Sequence, residues 1–337
     1  MMWLLALAAA LMPSVPLVQV SASQLAKARS YWLLGLLTVG IVYLAHVELW
    51  LALMGFIFLC RWRSSDTLPT LVTWVAIGLT WFLLLKIPPD LYRYVAIGWL
   101  AIAVWQVVLI VQRWWVHRRR IAGSFGSPPI TAMFLAVVVP LSPWWLWPVL
   151  AIGLFGTSSI GAALAVSVSL VWLYPWVWPY PATAALVVTI LWALSPWLKD
   201  RRIFEWTLRG DTLDSWHARW FAWRVIAHEF RRSPTHWALG HGPNASTKVL
   251  RPWASRLGVE LPHEVTNEAL QHVFEYGIVG ALALVAFLWR VVPNLVIGDM
   301  WSAAWVGFAV LTFTHWPARH PTLGLVWLAL SAKVVLG

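Results

Sequence analysis

The segment LPHEVTNEALQHVFEYGIVG, residues 261–280, places polar side chains at the start of an apolar run that continues to Trp289. If the segment is helical, Asn267, Gln271 and Glu275 lie four residues apart and share one face. Ionisable groups at membrane depth are costly, so they are usually paired, line a cavity or take part in chemistry. The spacing therefore predicts a candidate site at the entrance of this helix.

The same segment offers a candidate general base. His263 follows Pro262 at the helix entrance, where an imidazole could accept a proton near neutral pH. Glu264 and Glu268 share a second face with His272. A solvated helix N-terminus, where acidic residues are favoured, also explains these two glutamates. It explains the longer stripe less well, because that stripe continues past the first turn.

A second candidate site lies in residues 217–234, which are rich in Arg and Trp. On a helix Arg219 and Trp223 are neighbours, and Trp220 and Arg224 repeat the arrangement beside them. A guanidinium group binds two phosphate oxygens at once, so this pattern suits a phosphate ligand. The alternative is an amphipathic helix whose arginines face water or lipid headgroups.

Two glycines in the segment ALGHGPNAS, residues 238–246, surround a histidine. Gly240 and Gly242 permit a tight turn and a close backbone approach by a ligand, and His241 between them is a second candidate base. An ordinary surface turn would have the same composition.

A basic cluster occupies residues 113–120, RWWVHRRR, and includes Arg118, Arg119 and Arg120. It either marks a cytoplasmic loop or forms a cationic rim for a diphosphate or an anionic glycan. Nucleic acid is not an expected partner, because no basic soluble domain accompanies the cluster.

The composition indicates which elements must hold these residues. Of the 337 residues, 61% are hydrophobic and 11% are charged, whereas soluble domains carry about 25% charged residues. This favours an all-α, polytopic membrane protein. The single cysteine, Cys60, excludes a disulfide framework and a thiolate metal cluster. Residues 1–22 lack the positive start of a signal peptide and are expected to be a retained first span.

Apolar runs predict about twelve spans in three regions. Residues 1–198 would hold about nine spans, residues 199–269 a large extramembrane loop, and residues 270–337 about three spans. Aromatic residues at helical spacing in the loop predict an ordered subdomain with one or two helices. The predicted spans lie near 2–20, 30–46, 47–60, 69–86, 91–112, 129–142, 144–157, 159–176, 182–198, 270–290, 294–314 and 320–337.

Together these motifs resemble the O-antigen ligase/polymerase superfamily of bacterial membrane proteins. Its pattern is Arg with Trp four residues later, then Pro, a Gly-x-Gly turn, His near Asn, and a helix with Glu-x-Gly-x-x-Gly. The matching residues are Arg219, Trp223, Pro234, Gly240, Gly242, His263, Asn267, Glu268, Glu275, Gly277 and Gly280. Residues 123–141 and 157–165 are similar to two upstream segments of the family.

The sequence departs from the family pattern at three places. Thr266 stands where the family often has His, and Ile160 stands where Arg is expected. Ser127 and Pro128 replace an expected Asn. These departures leave open a diverged or inactive member of the family.

The resemblance implies an inverting glycosyltransferase that uses no metal and no cofactor. Its donor would be a glycan on undecaprenyl diphosphate, and its acceptor a glycan, the lipid A core or a protein. The implied catalytic residues are His263 as base and Arg219 on the diphosphate. The implied substrate-binding residues are Arg224, Arg118, Arg119, Arg120, Gly240, His241, Gly242, Asn267, Glu268 and Glu275.

The resemblance also implies a location in the bacterial inner membrane with the large loop in the periplasm. The distribution of Lys and Arg favours the opposite orientation. A diphosphate substrate gives a separate reason for arginines on outer loops, so the periplasmic orientation is preferred. Two alternatives remain: a transporter or flippase of a lipid-linked or anionic solute, and a non-catalytic degenerate relative.

Overall fold

The computed structural model of this chain is all-α in the part it describes, as the composition predicted. Ten α-helices occur there, and no strand. The described residues are 67–117, 123–125, 127–157, 159–177, 211–232, 236–242, 245–257, 267–314 and 321–337. The predicted spans near 2–20, 30–46, 47–60 and 182–198, together with Cys60 and residues 1–22, lie outside these ranges.

Short 3-10 turns extend several of the helices. The turn Val139–Leu141 continues the helix Pro128–Val138, Trp144–Leu146 leads into the helix Trp147–Thr157, and Val292–Asn294 continues the helix Glu268–Val291. The helices are α1 Thr67–Leu85, α2 Tyr92–His117, α3 Pro128–Val138, α4 Trp147–Thr157, α5 Ile160–Leu173, α6 Asp211–Arg232, α7 Ala245–Leu257, α8 Glu268–Val291, α9 Met300–Thr314 and α10 Pro321–Leu336.

The centre of the apolar bundle is α3. Every residue from Ile130 to Val138 is buried, and the helix packs against α2, α4, α5, α9 and α10. A helix that is apolar on all sides must be surrounded by apolar groups, which lipid or protein can supply. For α3, neighbouring helices supply them.

Two of the described helices are long and apolar enough to cross a membrane, at Pro89–Arg113 and Ala269–Asn294. The other apolar helices are shorter, with 10–17 residues. Helices occupy each predicted span that falls within the described residues. The total of about twelve spans stays a prediction.

The helix predicted from residue 294 begins six residues later, at Met300. Pro293 lies in the 3-10 turn that follows α8, and Gly298 adopts a φ of 87° in the connecting loop. Asp299 then caps the new helix, because its Oδ2 accepts a hydrogen bond from Ser302 N at 2.7 Å. The loop residues thus separate two runs that hydropathy alone joins.

A second, smaller core lies outside the bundle and is made by α6, α7 and the first half of α8. Both α6 and α7 fall in the predicted loop 199–269, whereas the α8 residue in this core, Phe274, lies beyond it. The packing boundary between the two cores therefore falls inside α8. The buried members of the small core are Ala222, Val225, Ile226, Ala245, Leu250 and Phe274.

Candidate functional site

Helix α8 is kinked where its surroundings change. Gly277 has φ 67° and ψ −158° inside the helix, and the turn Trp237–Gly242 pairs with the kink. We call the pairing of Trp237–Gly242 with Phe274–Val279 the clasp. Four backbone hydrogen bonds form it: His241 N donates to Phe274 O (2.9 Å), Gly242 N to Glu275 O (2.9 Å), Ile278 N to Trp237 O (2.8 Å) and Val279 N to Ala238 O (3.1 Å).

The clasp replaces helical hydrogen bonds with bonds to the turn. In a regular helix the amides of Ile278 and Val279 would donate to the carbonyls four residues earlier. Those carbonyls, of Phe274 and Glu275, accept from the turn instead, and the two amides donate to it. The kink therefore leaves these buried backbone groups satisfied, which explains how it can persist inside the helix.

Both glycines of the clasp are required by its geometry. Gly240 and Gly277 have φ values of 68° and 67°, a region that L side chains rarely adopt. A Cβ at Gly240 would collide with the backbone of Glu275, and a Cβ at Gly277 with the backbone of Gly240 and Trp237. The Gly-x-Gly turn and the Glu-x-Gly segment, separate motifs in the sequence, are therefore two halves of one contact.

A buried polar cluster lies directly beside the clasp and consists of Ser246, Gln271 and Glu275. All three side chains are fully buried. Gln271 Nε2 donates to Ser246 Oγ at 2.9 Å and to Glu275 Oε1 at 3.1 Å, and Ser246 Oγ donates to the same Oε1 at 3.1 Å. The predicted shared face of Gln271 and Glu275 is therefore confirmed.

Gln271 has acceptor capacity left over. Both hydrogens of its amide nitrogen point to the cluster, which fixes the orientation of the amide group. Its Oε1 is buried and has no hydrogen-bond partner among the described residues. Buried polar atoms are usually bonded, so this oxygen marks the cluster as a place for a further donor.

Asn267 has a structural position at the start of α8. Its side-chain oxygen accepts a hydrogen bond from Leu270 N at 2.9 Å and caps the helix. Glu268 is the first residue of α8. Asn267 thus departs from the stripe that it was predicted to share with Gln271 and Glu275.

His241 is held in a stack of rings. Its imidazole lies 4.6 Å from the His236 ring and 4.2 Å from the Phe274 ring, nearly parallel to both. Its Nδ1 lies 3.3 Å from Phe274 O. A carbonyl oxygen can only accept, so this contact is a hydrogen bond when Nδ1 carries the proton, and the neutral ring then has its lone pair on Nε2.

The structure describes the side chain of one member of each Arg–Trp pair predicted on α6. Trp223 packs against the small core, whereas Arg224 is exposed. Arg219 lies within α6. Arg118, Arg119, Arg120, His263 and Thr266 lie outside the described residues, so their predicted roles stay predictions.

Sequence reasoning missed two residues that the structure places in polar contacts. Ser246 lies in the first turn of α7, and no spacing rule connects it to Glu275. Gln106 is fully buried in α2. Its signal was available, since an isolated amide in an apolar run must find a partner.

Gln106 holds the loop before α3. Its Nε2 donates to Ser124 Oγ at 2.7 Å, and its Oε1 accepts from Ser124 N at 2.8 Å. Gly123 N donates to Thr131 Oγ1 at 3.2 Å. We call Gln106, Gly123, Ser124 and Thr131 the loop junction. It contains the start of the upstream segment that resembles the ligase/polymerase superfamily.

Among the described residues, no three His, Cys, Asp or Glu side chains lie close enough together to hold a metal ion. No protein-family model matches the chain, and no curated protein matches it. The resemblance to the O-antigen ligase/polymerase superfamily therefore depends on the ordered motifs alone and stays a prediction.

Proposed function

We propose that this protein is a glycosyltransferase of the bacterial inner membrane. It would transfer or polymerise a glycan carried on undecaprenyl diphosphate, as an O-antigen polymerase or ligase does. The observation that supports this most is the clasp. It joins a histidine-bearing turn of the large loop segment to a buried carboxylate at the entrance of an apolar helix.

The position of the clasp suits a lipid-linked donor. Before Gly277, α8 packs against the small core of α6 and α7. After Gly277, its side chains are apolar up to Arg290, and this part belongs to the candidate membrane span Ala269–Asn294. A donor with a lipid tail and a polar diphosphate sugar needs a site at such a transition.

The reaction requires one bond to form and one to break. The oxygen of an acceptor hydroxyl attacks the anomeric carbon of the donor, and the bond from that carbon to the diphosphate oxygen breaks. The bonding electrons leave with the diphosphate, and the hydroxyl proton passes to a base. Arg219 and Arg224 would stabilise the charge that develops on the diphosphate, which needs no metal.

Two histidines are candidates for the base. His263 is the leading candidate by resemblance. His241 is supported by its geometry, because the Phe274 carbonyl favours the tautomer whose Nε2 can accept a proton. Glu275 is bonded to Ser246 and Gln271, so we assign it to positioning neighbouring groups.

Complementation tests the proposed activity. The gene is expressed in polymerase-null and in ligase-null bacteria, and the length distribution of surface glycan is read on a gel. We expect long glycan in one of the two strains, and its loss with Arg219→Ala and with His263→Ala. His241→Gln distinguishes the second base candidate from the first.

An exposed residue serves as a matched control, since Arg251→Ala removes the same guanidinium group from α7. This variant should keep the glycan pattern. Restored glycan that survives Arg219→Ala, His263→Ala and His241→Gln would contradict the mechanism. Failure to restore glycan in either strain, with protein present in the membrane, would favour a transporter or a non-catalytic relative.

A reporter fusion tests the orientation. Alkaline phosphatase fused near residue 245 should be active, because it folds only in the periplasm. A cytoplasmic reporter at the same place should be inactive. The opposite pair of results would place the loop in the cytoplasm, as the charge distribution favours.

A further inference from the structure

An exposed apolar stripe on α8 begins at the clasp. Four apolar side chains on one face of the helix are largely exposed, at spacings of four, three and four residues. They are Ile278 (51% exposed), Leu282 (53%), Val285 (56%) and Trp289 (79%). This stripe suits lipid contact, given the membrane location that is part of the proposed function. Its first residue follows Gly277 directly.

Trp237 marks the level at which the stripe begins. Its carbonyl accepts the hydrogen bond from Ile278 N at 2.8 Å, so the two residues lie side by side. The Trp237 side chain is 44% exposed. Tryptophan is enriched where a membrane meets water, and this position fits that role.

The last turn of α6 is fixed at the same level. Trp237 Nε1 donates to Phe230 O at 2.8 Å, and the two rings stack with their centroids 6.3 Å apart. Arg231 and Arg232 follow Phe230 directly and end the helix. The contacts from Ile278 through Trp237 to Phe230 therefore place the end of α6 beside the start of the exposed stripe, which would lie at the lipid headgroups in the proposed membrane location.

The two arginines have charge available for a ligand. Both are exposed, and neither forms an ion pair within the part of the chain that the structure describes. Arg224, seven residues before Arg231, is exposed on the same face of α6, so the arginine pair continues a basic face. Guanidinium groups bind phosphate oxygens in a forked geometry that an ammonium group cannot reproduce.

We propose that Arg231 and Arg232, beside Trp237, form a binding site for the phosphate groups of anionic phospholipids. The site would dock the end of α6 on the bilayer and thereby hold the turn of the clasp against α8. The positive charge, the headgroup depth and the neighbouring tryptophan select a lipid surface as the occupant. The inference depends on the proposed membrane location and is independent of the proposed chemistry.

Lipid retention tests the site. The full-length protein is exposed to equal amounts of phosphatidylglycerol and phosphatidylcholine in mixed micelles, and the bound lipid is counted by native mass spectrometry. The wild type should retain phosphatidylglycerol preferentially. Arg231→Gln with Arg232→Gln should weaken this preference by about fivefold for each charge removed.

Two further double variants test whether the lipid preference depends on the position and the guanidinium groups of Arg231 and Arg232. Lys248→Gln with Arg251→Gln removes the same charge from exposed positions of α7 and should keep the preference. Arg231→Lys with Arg232→Lys keeps the charge and should retain part of the preference. Lipid retention is compared only for variants that elute as a monodisperse peak and have the melting temperature of the wild type. Misfolded protein is thereby excluded from the comparison.

The inference is overturned if the Arg231→Gln, Arg232→Gln protein retains phosphatidylglycerol like the wild type. It is also overturned if the Lys248→Gln, Arg251→Gln control loses as much of the preference for phosphatidylglycerol as the Arg231→Gln, Arg232→Gln protein does. Net charge alone would then explain the preference. Extraction of the wild type from membranes by alkaline carbonate would instead reject the membrane location, and this inference with it. Unchanged lipid retention in an integral protein rejects the lipid site alone.

Discussion

Two buried glutamines hold two different junctions between a loop and a helix. Gln106 in the loop junction uses both ends of its amide, one as donor and one as acceptor, on a single residue, Ser124. Gln271 beside the clasp uses only its nitrogen, on Ser246 and Glu275. The first arrangement is complete within the described protein. The second contains a carboxylate and an acceptor with capacity for another partner, which is typical of functional sites.

The glycines of the loop junction and of the clasp also differ, in what an added Cβ would contact. A Cβ at Gly123 would meet the amide of Gln106 and the methyl group of Thr131, which are side chains that can move. A Cβ at Gly240 or Gly277 would meet backbone. The loop junction can therefore adapt to a substitution, and the clasp cannot.

The largest expected effect is on the clasp glycines. Gly240→Ala or Gly277→Ala should lower the free energy of unfolding by about 3 kcal/mol or prevent folding, because backbone strain and a backbone collision act together. Gly123→Ala should cost less, about 2 kcal/mol, because the Gln106 amide must move away from the new Cβ and lose its bond to Ser124 N. The measurement is the temperature at which the detergent-solubilised protein loses its monodisperse peak.

Gly298→Ala is the matched control for backbone conformation. Gly298 also has a positive φ, of 87°, but only Leu173 O approaches its Cβ position, at 4.0 Å. We expect a cost of about 1 kcal/mol from conformation alone. If Gly298→Ala were as damaging as Gly240→Ala, the interlocking of the two backbones would not explain the clasp.

The next effect concerns Gln106. Gln106→Leu should cost about 2 kcal/mol of unfolding free energy, because it removes two hydrogen bonds and leaves Ser124 N without its acceptor. The glycan produced per folded molecule should stay at the wild-type level. Thermal stability and the glycan gel together check this. A loss of product without a loss of stability would make the loop junction part of the site.

Glu275→Gln should separate stability from function. The substituted amide oxygen can still accept from Ser246 and Gln271, and a buried charge is removed, so stability should change by less than about 1 kcal/mol. Glycan formation should fall sharply if the cluster serves the proposed reaction, because the amide lacks the charge and the second acceptor oxygen of the carboxylate while the bonds to Ser246 and Gln271 persist. Wild-type glycan levels would show that the cluster beside the clasp is as structural as the loop junction.

The smallest expected effects are at helix caps. Asn267→Ala should cost about 1 kcal/mol, since the α8 cap is a 2.9 Å hydrogen bond. Ser159→Ala should lower the free energy of unfolding by only about 0.3 kcal/mol, because the hydrogen bond that caps α5, from Ala162 N to Ser159 Oγ, is long at 3.4 Å. Asn267→Ser should restore both stability and glycan. A loss of glycan in the stable Asn267→Ser protein would assign Asn267 to the substrate.

Spacing predicted the local part of the candidate site and missed the part made by distant segments. Gln271 and Glu275 are bonded because they are one turn apart on a helix. The kink at Gly277 could not be predicted in this way, since its hydrogen bonds come from a turn more than 30 residues earlier in the chain. Helical periodicity assumes an unbroken helix, and the clasp breaks it.

Hydropathy has a similar limit. It placed helices well, because an apolar run of sufficient length must satisfy its backbone internally. It could not distinguish lipid from protein as the surroundings. Ile130–Val138 is as apolar as a span, yet it is buried by five neighbouring helices. Whether lipid or protein surrounds an apolar helix depends on the length of the helix and on its neighbours, and composition alone gives neither.

The exchange of hydrogen bonds at Gly277 has a consequence for how the molecule is assembled. Without the docked turn, α8 would form its own intrahelical bonds at Ile278 and Val279, as a straight helix. When the turn docks, the same two amides change acceptors to Trp237 and Ala238. The same backbone groups can therefore be satisfied within a straight helix or by the docked turn, and the structure has the second arrangement. Amide hydrogen exchange at Ile278 and Val279 would follow the conversion between a straight α8 and the α8 that is kinked by the docked turn.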